Sequence, residues 1–408
     1  MSSALGGPIL KIALFTDTYP EDINGVARTL GMLVEHASAR GHSVALVTPQ
    51  VSKGAAPYSA LHHQLFGIPI PIYRDLQLAR GIDREGRAKL EEFAPDLVHV
   101  ATESTVGLSG RNWAVREGVP LVTSFHTNFP AYLPDYRMGL FEPWVWRYLR
   151  WFHSRSRVTL CPSRATREDL EAHDFHDRLR IWSRGVDTRL FDPERRASEV
   201  RERLAPGADK ILLYVGRIAS EKRVDFLLDV FPRIRSQVGD GVALVFVGDG
   251  PASDPLRKRA PEGVYFTGFL RGEALADAYA AADLFVFASE TETFGNVVLE
   301  ALASGVPAVA VDRGGVTETV LPGRTGVLVP PRDPVAFAEA CVTLLGNEDE
   351  RLRLADGARS EALSRSWPVI LDGVLESYRL SGGSPRPRRE DRAGALVTSH
   401  SSEGSAQP

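Results

Sequence analysis

Asp283-Leu284-Phe285-Val286-Phe287-Ala288 runs without a break into Ser289-Glu290-Thr291-Glu292-Thr293-Phe294-Gly295-Asn296-Val297-Val298-Leu299-Glu300-Ala301-Leu302-Ala303-Ser304-Gly305. The first run is apolar and of strand length, whereas residues 297–303 have helical composition and stop at a glycine. This predicts a buried strand that hands a loop to a helix, the repeating unit of a parallel α/β sheet. Glu292 then sits in the loop at the carboxyl end of the strand, and Glu300 about two turns into the helix. Phe294, Gly295 and Asn296 bring backbone N–H groups to the helix start, where the macrodipole favours anions. The acids can accept hydrogen bonds from hydroxyls while the helix start donates to phosphate. A nucleoside-diphosphate sugar demands both.

The same alternation extends outward in both directions. Strand-length apolar runs fall at 11–15, 43–49, 97–100, 121–125 and 158–162, and a second series at 211–215, 243–248, 264–267, 283–288 and 308–311. A polar segment at 196–207, holding Pro206, separates the series and is read as a linker. The expectation is an α/β protein of two doubly wound Rossmann-like domains, residues 9–195 and 208–365, facing across a cleft at the carboxyl ends of their strands. Residues 1–8 form an N-terminal tail, 366–380 a last helix opened by Ser366-Trp367-Pro368, and 381–408 a Gly-, Ser-, Pro- and Arg-rich tail read as disordered.

Composition narrows the function. With 408 residues, 43% hydrophobic and 25% charged, the chain reads as a soluble two-domain protein. A formal charge of -4 gives no reason to expect a nucleic-acid partner. Cys161 and Cys341 are too few for a disulfide framework or a metal site, which fits a reducing cytoplasm. No D-x-D occurs and no His/Cys cluster has ligand spacing, so no metal is expected. The first ten residues lack the features of a signal peptide, and no apolar stretch approaches the roughly 20 residues that span a bilayer. Any membrane contact is therefore expected to be peripheral.

Three further segments carry chemistry. After the first strand, Asn24-Gly25 lies in a loop leading into a helix, a way to bring backbone close to phosphate, although a plain turn at Gly25 would read the same. The absence of G-x-G-x-x-G disfavours a dinucleotide-dependent dehydrogenase. Gly216-Arg217-Ile218-Ala219-Ser220-Glu221-Lys222 follows the first strand of the second series, and a guanidinium with an ammonium could neutralise a departing diphosphate. His126, in Phe125-His126-Thr127-Asn128, stands at a strand terminus on the cleft side.

Together these motifs resemble the retaining glycosyltransferases of family 4, which have the GT-B fold and an E-x7-E signature. The resemblance covers residues 9 to 380. It implies that Glu292 contacts the donor sugar, Glu300 the nucleotide ribose, Arg217 and Lys222 the pyrophosphate, Asn24 and Gly25 the donor phosphates, and His126 the transferred sugar. Phe294, Gly295 and Asn296 complete the donor site. Most of that family reads E-P-F-G where this chain has Thr293 in place of proline. The implied mechanism is front-face, with the leaving phosphate taking the acceptor proton. The resemblance also implies that the last helix crosses back onto the first domain.

Arg184-Gly185-Val186-Asp187 and Arg365-Ser366-Trp367-Pro368-Val369 are similar to the GDP-mannose-dependent α-mannosyltransferases of bacterial glycolipids. The sulfoquinovosyl- and glucuronosyl-diacylglycerol synthases, users of UDP-sugars, share much of this wording. The expected donor is GDP-mannose, with a UDP-sugar as the alternative, and the acceptor a hydroxyl of a lipid or glycan. A nucleotide-sugar epimerase and a non-catalytic nucleotide-sugar-binding protein are further alternatives. From Trp144 to Arg157 the chain reads as a helix with Trp144, Tyr148 and Trp151 on one face and Arg147, Arg150 and Arg157 towards another. Such a face packs into a core or lies on an anionic membrane at the inner surface of the cytoplasmic membrane.

Overall fold

Residues 283–305 fold as a strand at Leu284–Phe287, a loop, and a helix at Asn296–Ala303. The computed structural model describes residues 8–19, 25–50, 58–70, 73–79, 81–133 and 138–382. They divide into two units, one drawn from Met1–Phe125, Trp151–Leu160 and Val374–Pro408, the other from His126–Arg150 and Cys161–Gly373. Asn24, most of the N-terminal tail and residues 383–408 of the C-terminal tail lie outside the described residues.

Strands of the first unit are β1 (Lys11–Phe15), β2 (Ser43–Pro49), β3 (Leu61–Leu65), β4 (Gly67–Ile70), β5 (Tyr73–Ala79), β6 (Leu97–Val100), β7 (Leu121–Ser124) and β8 (Val158–Cys161). The order β3-β2-β1-β6-β7-β8 winds outward on both sides of the β1–β6 pair, and each pairing is parallel. Strands β4 and β5 form a separate antiparallel ribbon. Within this unit Tyr378, on the helix Trp367–Leu380, lies 2.7 Å from His99 Nδ1, and the other ring nitrogen meets Ser124 Oγ. Burial pulls His99 down to about 3, so the ring stays neutral and can accept from the tyrosine.

The second unit holds β9 (Leu179–Ile181), β10 (Lys210–Val215), β11 (Val242–Val247), β12 (Val264–Gly268), β13 (Leu284–Phe287), β14 (Ala308–Val311) and β15 (Gly326–Val329). Its sheet runs β12-β11-β10-β13-β14-β15, parallel throughout. Near-continuous Val, Leu, Ile and Phe in β10, β11 and β13 follow from burial on both faces. Strands β3, β9 and β15 carry no long apolar run. Leu-His-His-Gln-Leu in β3 shows why a pattern search passes over it.

One buried carboxylate fixes the start of β13. Asp283, 2% exposed, accepts from Ile211 N–H at 2.8 Å, while its own N–H reaches Ile211 O at 2.9 Å. Arg196, Arg201 and Arg351 place guanidinium nitrogens 2.7, 3.1 and 3.8 Å from its oxygens. Burial alone would push this carboxyl up, but the Arg196 and Arg201 charges and the Ile211 N–H outweigh it and hold it below the usual range. In the segment 196–207 the structure has the helix Ser198–Leu204, with Val200 and Leu204 buried.

Asp283→Asn should destabilise the protein by about 3–5 kcal/mol, because it leaves buried guanidiniums without their countercharge. Urea unfolding at pH 7 measures this. The depressed carboxyl contributes its stability above its unfolded value and loses it as pH falls through the folded one. The gap between wild type and variant should therefore shrink in acid below about pH 4.

Candidate active site

The order of the second sheet reverses at β10 and β13, which pair through Leu212↔Leu284 and Leu213↔Phe285. In open parallel sheets such a switch point leaves a crevice at the carboxyl ends of the strands. The loops leaving those two ends carry the residues that the sequence singled out. After β10, Tyr214 donates its hydroxyl to Arg217 O at 2.9 Å, and a 3-10 turn at Ser220–Lys222 follows. Lys222 Nζ then lies 2.5 Å from Glu292 Oε1, which comes from the loop after β13. Arg217 Nη1 stands 3.7 Å from the buried Glu221 Oε1.

Two glycines shape the Glu292 loop. Gly295 has φ +84 and caps the helix Asn296–Ala303 in a left-handed conformation that suits a residue without Cβ. Gly315 donates its N–H to Glu292 O at 2.7 Å, and a Cβ there would lie 2.2 Å from Thr293 O. The loop thus rests on backbone. Phe294 is buried in the core, with the Arg365 guanidinium 5.9 Å from its ring centroid. Among the described residues the buried Asn296 Oδ1 has no hydrogen-bond partner. Glu300, on the same helix, is buried and accepts from Tyr279 OH at 3.0 Å.

His126 joins this group through its backbone and its ring. Thr293 Oγ1 donates to His126 O at 2.8 Å, a bond that a proline at position 293 could not make. Thr166 Oγ1 donates to Thr293 O at 3.1 Å and holds the loop from another side. Arg184 Nη2 lies 2.8 Å from His126 Nδ1, and the Trp182 ring meets the imidazole edge-on at 5.2 Å. A pocket of ≈ 520 Å³ opens beside these groups, with Asn128, Thr166, Glu292, Thr293, Arg313 and Arg332 on its walls.

The second unit therefore brings together Arg217, Lys222, Glu292, Phe294, Gly295, Asn296, Glu300 and His126. Gly25 belongs to the first unit, where it opens the helix Gly25–Ala39. There Asp17, in the loop after β1, accepts from Thr102 Oγ1 at 2.6 Å and from Val106 N at 3.1 Å, and burial pushes its carboxyl up.

Several site residues escaped the sequence reading. Glu290 gathers Arg332, Arg313 and Arg223 at 3.0, 3.5 and 3.8 Å, and Arg184 stood only within a four-residue phrase. Neither has a local pattern, since their partners are distant in sequence. Among the described residues no group of three or more His, Cys, Asp or Glu is placed to hold a metal ion.

The fold is thus two parallel-sheet units, the second with a cationic and acidic crevice at its switch point. A profile described as Glycosyltransferase Family 4 matches residues 23–190, and one described as Glycosyl transferases group 1 matches residues 209–347. A GDP-mannose-dependent alpha-mannosyltransferase of Mycolicibacterium smegmatis is 35% identical over 90% of this chain and 97% of its own. The sulfoquinovosyl transferase of Arabidopsis thaliana is 32% identical over 88% of this chain and 71% of its own. Among solved structures, sucrose-phosphate synthase from Thermosynechococcus elongatus aligns with TM-score 0.73 at 21% identity, covering 91% of this chain and 98% of its own. Anabaena HepE, solved with UDP and glucose, aligns with TM-score 0.70 at 19% identity, covering 91% and 99%. The chain belongs to the glycosyltransferases of family 4 and has their GT-B fold. It is a glycosyltransferase that uses a nucleotide sugar.

Lys222→Ala and Glu292→Ala should each lower transfer by about 100-fold or more in kcat/KM. The double variant should lose less than the product of the two, since the groups touch. Undiminished transfer by the double variant would remove both from the site.

Proposed function

We propose that this chain is a retaining, metal-independent hexosyltransferase that moves mannose from GDP-mannose to a hydroxyl of a lipid or glycan acceptor. The observation that carries the chemistry is the 2.5 Å Lys222–Glu292 contact at the switch point, next to a helix N-terminus and the His126 loop. In this reading Lys222 and Arg217 take the diphosphate, with the first amides of Asn296–Ala303 adding the positive end of the helix dipole. Glu292 orients the donor sugar, and Glu300, held by Tyr279, takes the ribose hydroxyls. As the bond to the anomeric carbon breaks, negative charge grows on the diphosphate. Cations and amides already in place stabilise that charge without reorganisation. The leaving phosphate accepts the proton of the incoming hydroxyl, so no protein nucleophile is required.

Mannose is favoured by the 35% identity to the mycobacterial mannosyltransferase across nearly its whole length. A UDP-sugar-dependent diacylglycerol glycosyltransferase is the second reading, supported by the 32% identity to the plant sulfoquinovosyl transferase. Thermal unfolding against GDP, UDP, ADP and their sugars separates the two. A ligand held only by the folded protein at a hundred times its dissociation constant contributes about 2.7 kcal/mol. Stabilisation confined to GDP and GDP-mannose, with transfer unchanged in excess EDTA, is expected. Stabilisation by UDP-sugars alone would move the assignment to the second reading, and loss of transfer in EDTA would end the metal-independent one.

A lipid acceptor also calls for a cytoplasmic enzyme that reaches a membrane surface. Among the described residues no helix is long and apolar enough to cross a membrane. The helix Glu142–His153 does not bury the face that the sequence outlined: Trp146, Leu149 and Phe152 are buried, whereas Trp144 and Trp151 are 66% and 47% exposed. Leu140 and Phe141, just before it, are also exposed, and so are Arg147 and Arg155. Exposed aromatic and aliphatic side chains among arginines suit an anionic bilayer, each arginine near the surface adding about 1 kcal/mol. The protein should sediment with phosphatidylglycerol vesicles and stay in solution with phosphatidylcholine. Trp144→Ala with Arg147→Gln should weaken that binding several-fold while thermal stability is unchanged. Equal binding by variant and wild type would remove this face from the proposal.

A further inference from the structure

We propose that Arg184 is a positioning residue that fixes His126 as a neutral imidazole with its proton on Nε2, so that the ring serves the reaction centre as a hydrogen-bond donor and not as a base. The proposal rests on the contact of His126 with the transferred sugar that the family resemblance implies.

A guanidinium carries five N–H donors and no acceptor. Arg184 Nη2 stands 2.8 Å from His126 Nδ1, so the imidazole nitrogen must accept that bond. An accepting Nδ1 carries no proton, and the neutral ring then bears its proton on Nε2. A positive charge at this distance also disfavours the imidazolium, because two cations would share one buried site. Burial pulls the Arg184 guanidinium down only to about 9, which leaves it charged at neutral pH.

Orientation is fixed as firmly as protonation. Arg184 is itself anchored by donating to Trp182 O at 2.5 Å and Ser183 O at 3.3 Å. Its guanidinium lies 5.0 Å from the Trp182 ring centroid, and that indole in turn meets His126 edge-on. The His126 backbone is held separately by Thr293 Oγ1. Arg184 is 4% exposed, and among the described residues no carboxylate lies within ion-pair distance of it. The nearby Cys161 remains a thiol, because burial pushes it up to about 12. Buried arginines are ordinarily paired with an acid. This one is directed at a histidine. That choice makes sense if the histidine's tautomer is what must be set.

The first test needs no variant. Proton-detected NMR of the full-length protein with 15N-labelled histidine reads the tautomer directly, the His126 signals being assigned by their loss in His126→Gln. The expected wild-type spectrum shows a protonated Nε2 and an unprotonated Nδ1 from pH 6 to pH 8. An Nδ1-protonated ring, or an imidazolium at pH 7, would overturn the proposal. In Arg184→Ala the ring should become a tautomer mixture or titrate within that range, with kcat reduced about 10- to 100-fold, as for other groups that orient a catalytic ligand from behind. Arg184→Lys, whose ammonium is also donor-only, should restore the tautomer and most of the rate. An unchanged tautomer in a folded Arg184→Ala protein would also overturn it. If Arg184 proves to set the tautomer and His126→Ala still transfers at full rate, the pairing stands and the placing of His126 in the reaction centre falls instead.

Discussion

The parallel pairing of β10 with β13 is the constraint on which the candidate site depends. It is locked by Asp283, whose carboxylate and backbone both reach Ile211. Without that lock a strand beginning at Leu284 could slip in register. A slip of one residue would turn each of its side chains to the opposite face. Arg196 and Arg201, which come from the connection between the two series of strands, form ion pairs here. The connection therefore helps to build the site, although it carries none of the groups assigned to the donor. Everything at the carboxyl end follows from this register: the loop ending in Lys222 and the loop carrying Glu292 emerge side by side because their strands are neighbours.

Backbone contacts help to hold those loops. Gly315 lies against the carbonyls of Glu292 and Thr293 so closely that no side chain fits between them. Charges of opposite sign are likewise paired with each other: Lys222 with Glu292, and Arg217 with Glu221. Bare charges in a half-buried crevice would carry a desolvation cost of several kcal/mol each. Pairing offsets that cost while keeping both partners of each pair in place. Preorganisation of this kind is what lets fixed charges act on a developing transition state.

Much of this was legible in the sequence, for identifiable reasons. Strands such as Ile211 to Val215 and Ala308 to Val311 are buried on both faces, so they stand out as apolar runs. The loop–helix unit around Glu292 is local, and its glycine marks its start. What was not legible depends on pairing across distance. Strand β3 is polar enough to look like loop. The helix at Glu142–His153 was legible as a helix but not in its orientation: its aromatics occupy two faces, and only packing decides that Trp146 is covered while Trp144 is not. Arg184 lies 58 residues from His126, and nothing in its neighbourhood announces the bond between them.

Thr293 connects these levels. Where the resembled E-P-F-G pattern has proline, this chain has a hydroxyl, and that hydroxyl is bonded to the backbone of His126. Proline would stiffen the loop through its fixed φ but could not reach the histidine. Threonine gives up that stiffness and replaces it with a tertiary contact, donating through Oγ1 to the His126 carbonyl. The histidine is then held at its carbonyl by the loop that carries Glu292 and at its ring by Arg184. A displacement of the Glu292 loop consequently pulls on the histidine, and a change at the histidine is felt at Glu292. The Glu292 loop and the histidine are thus one mechanical unit, tied together by the Thr293 hydroxyl.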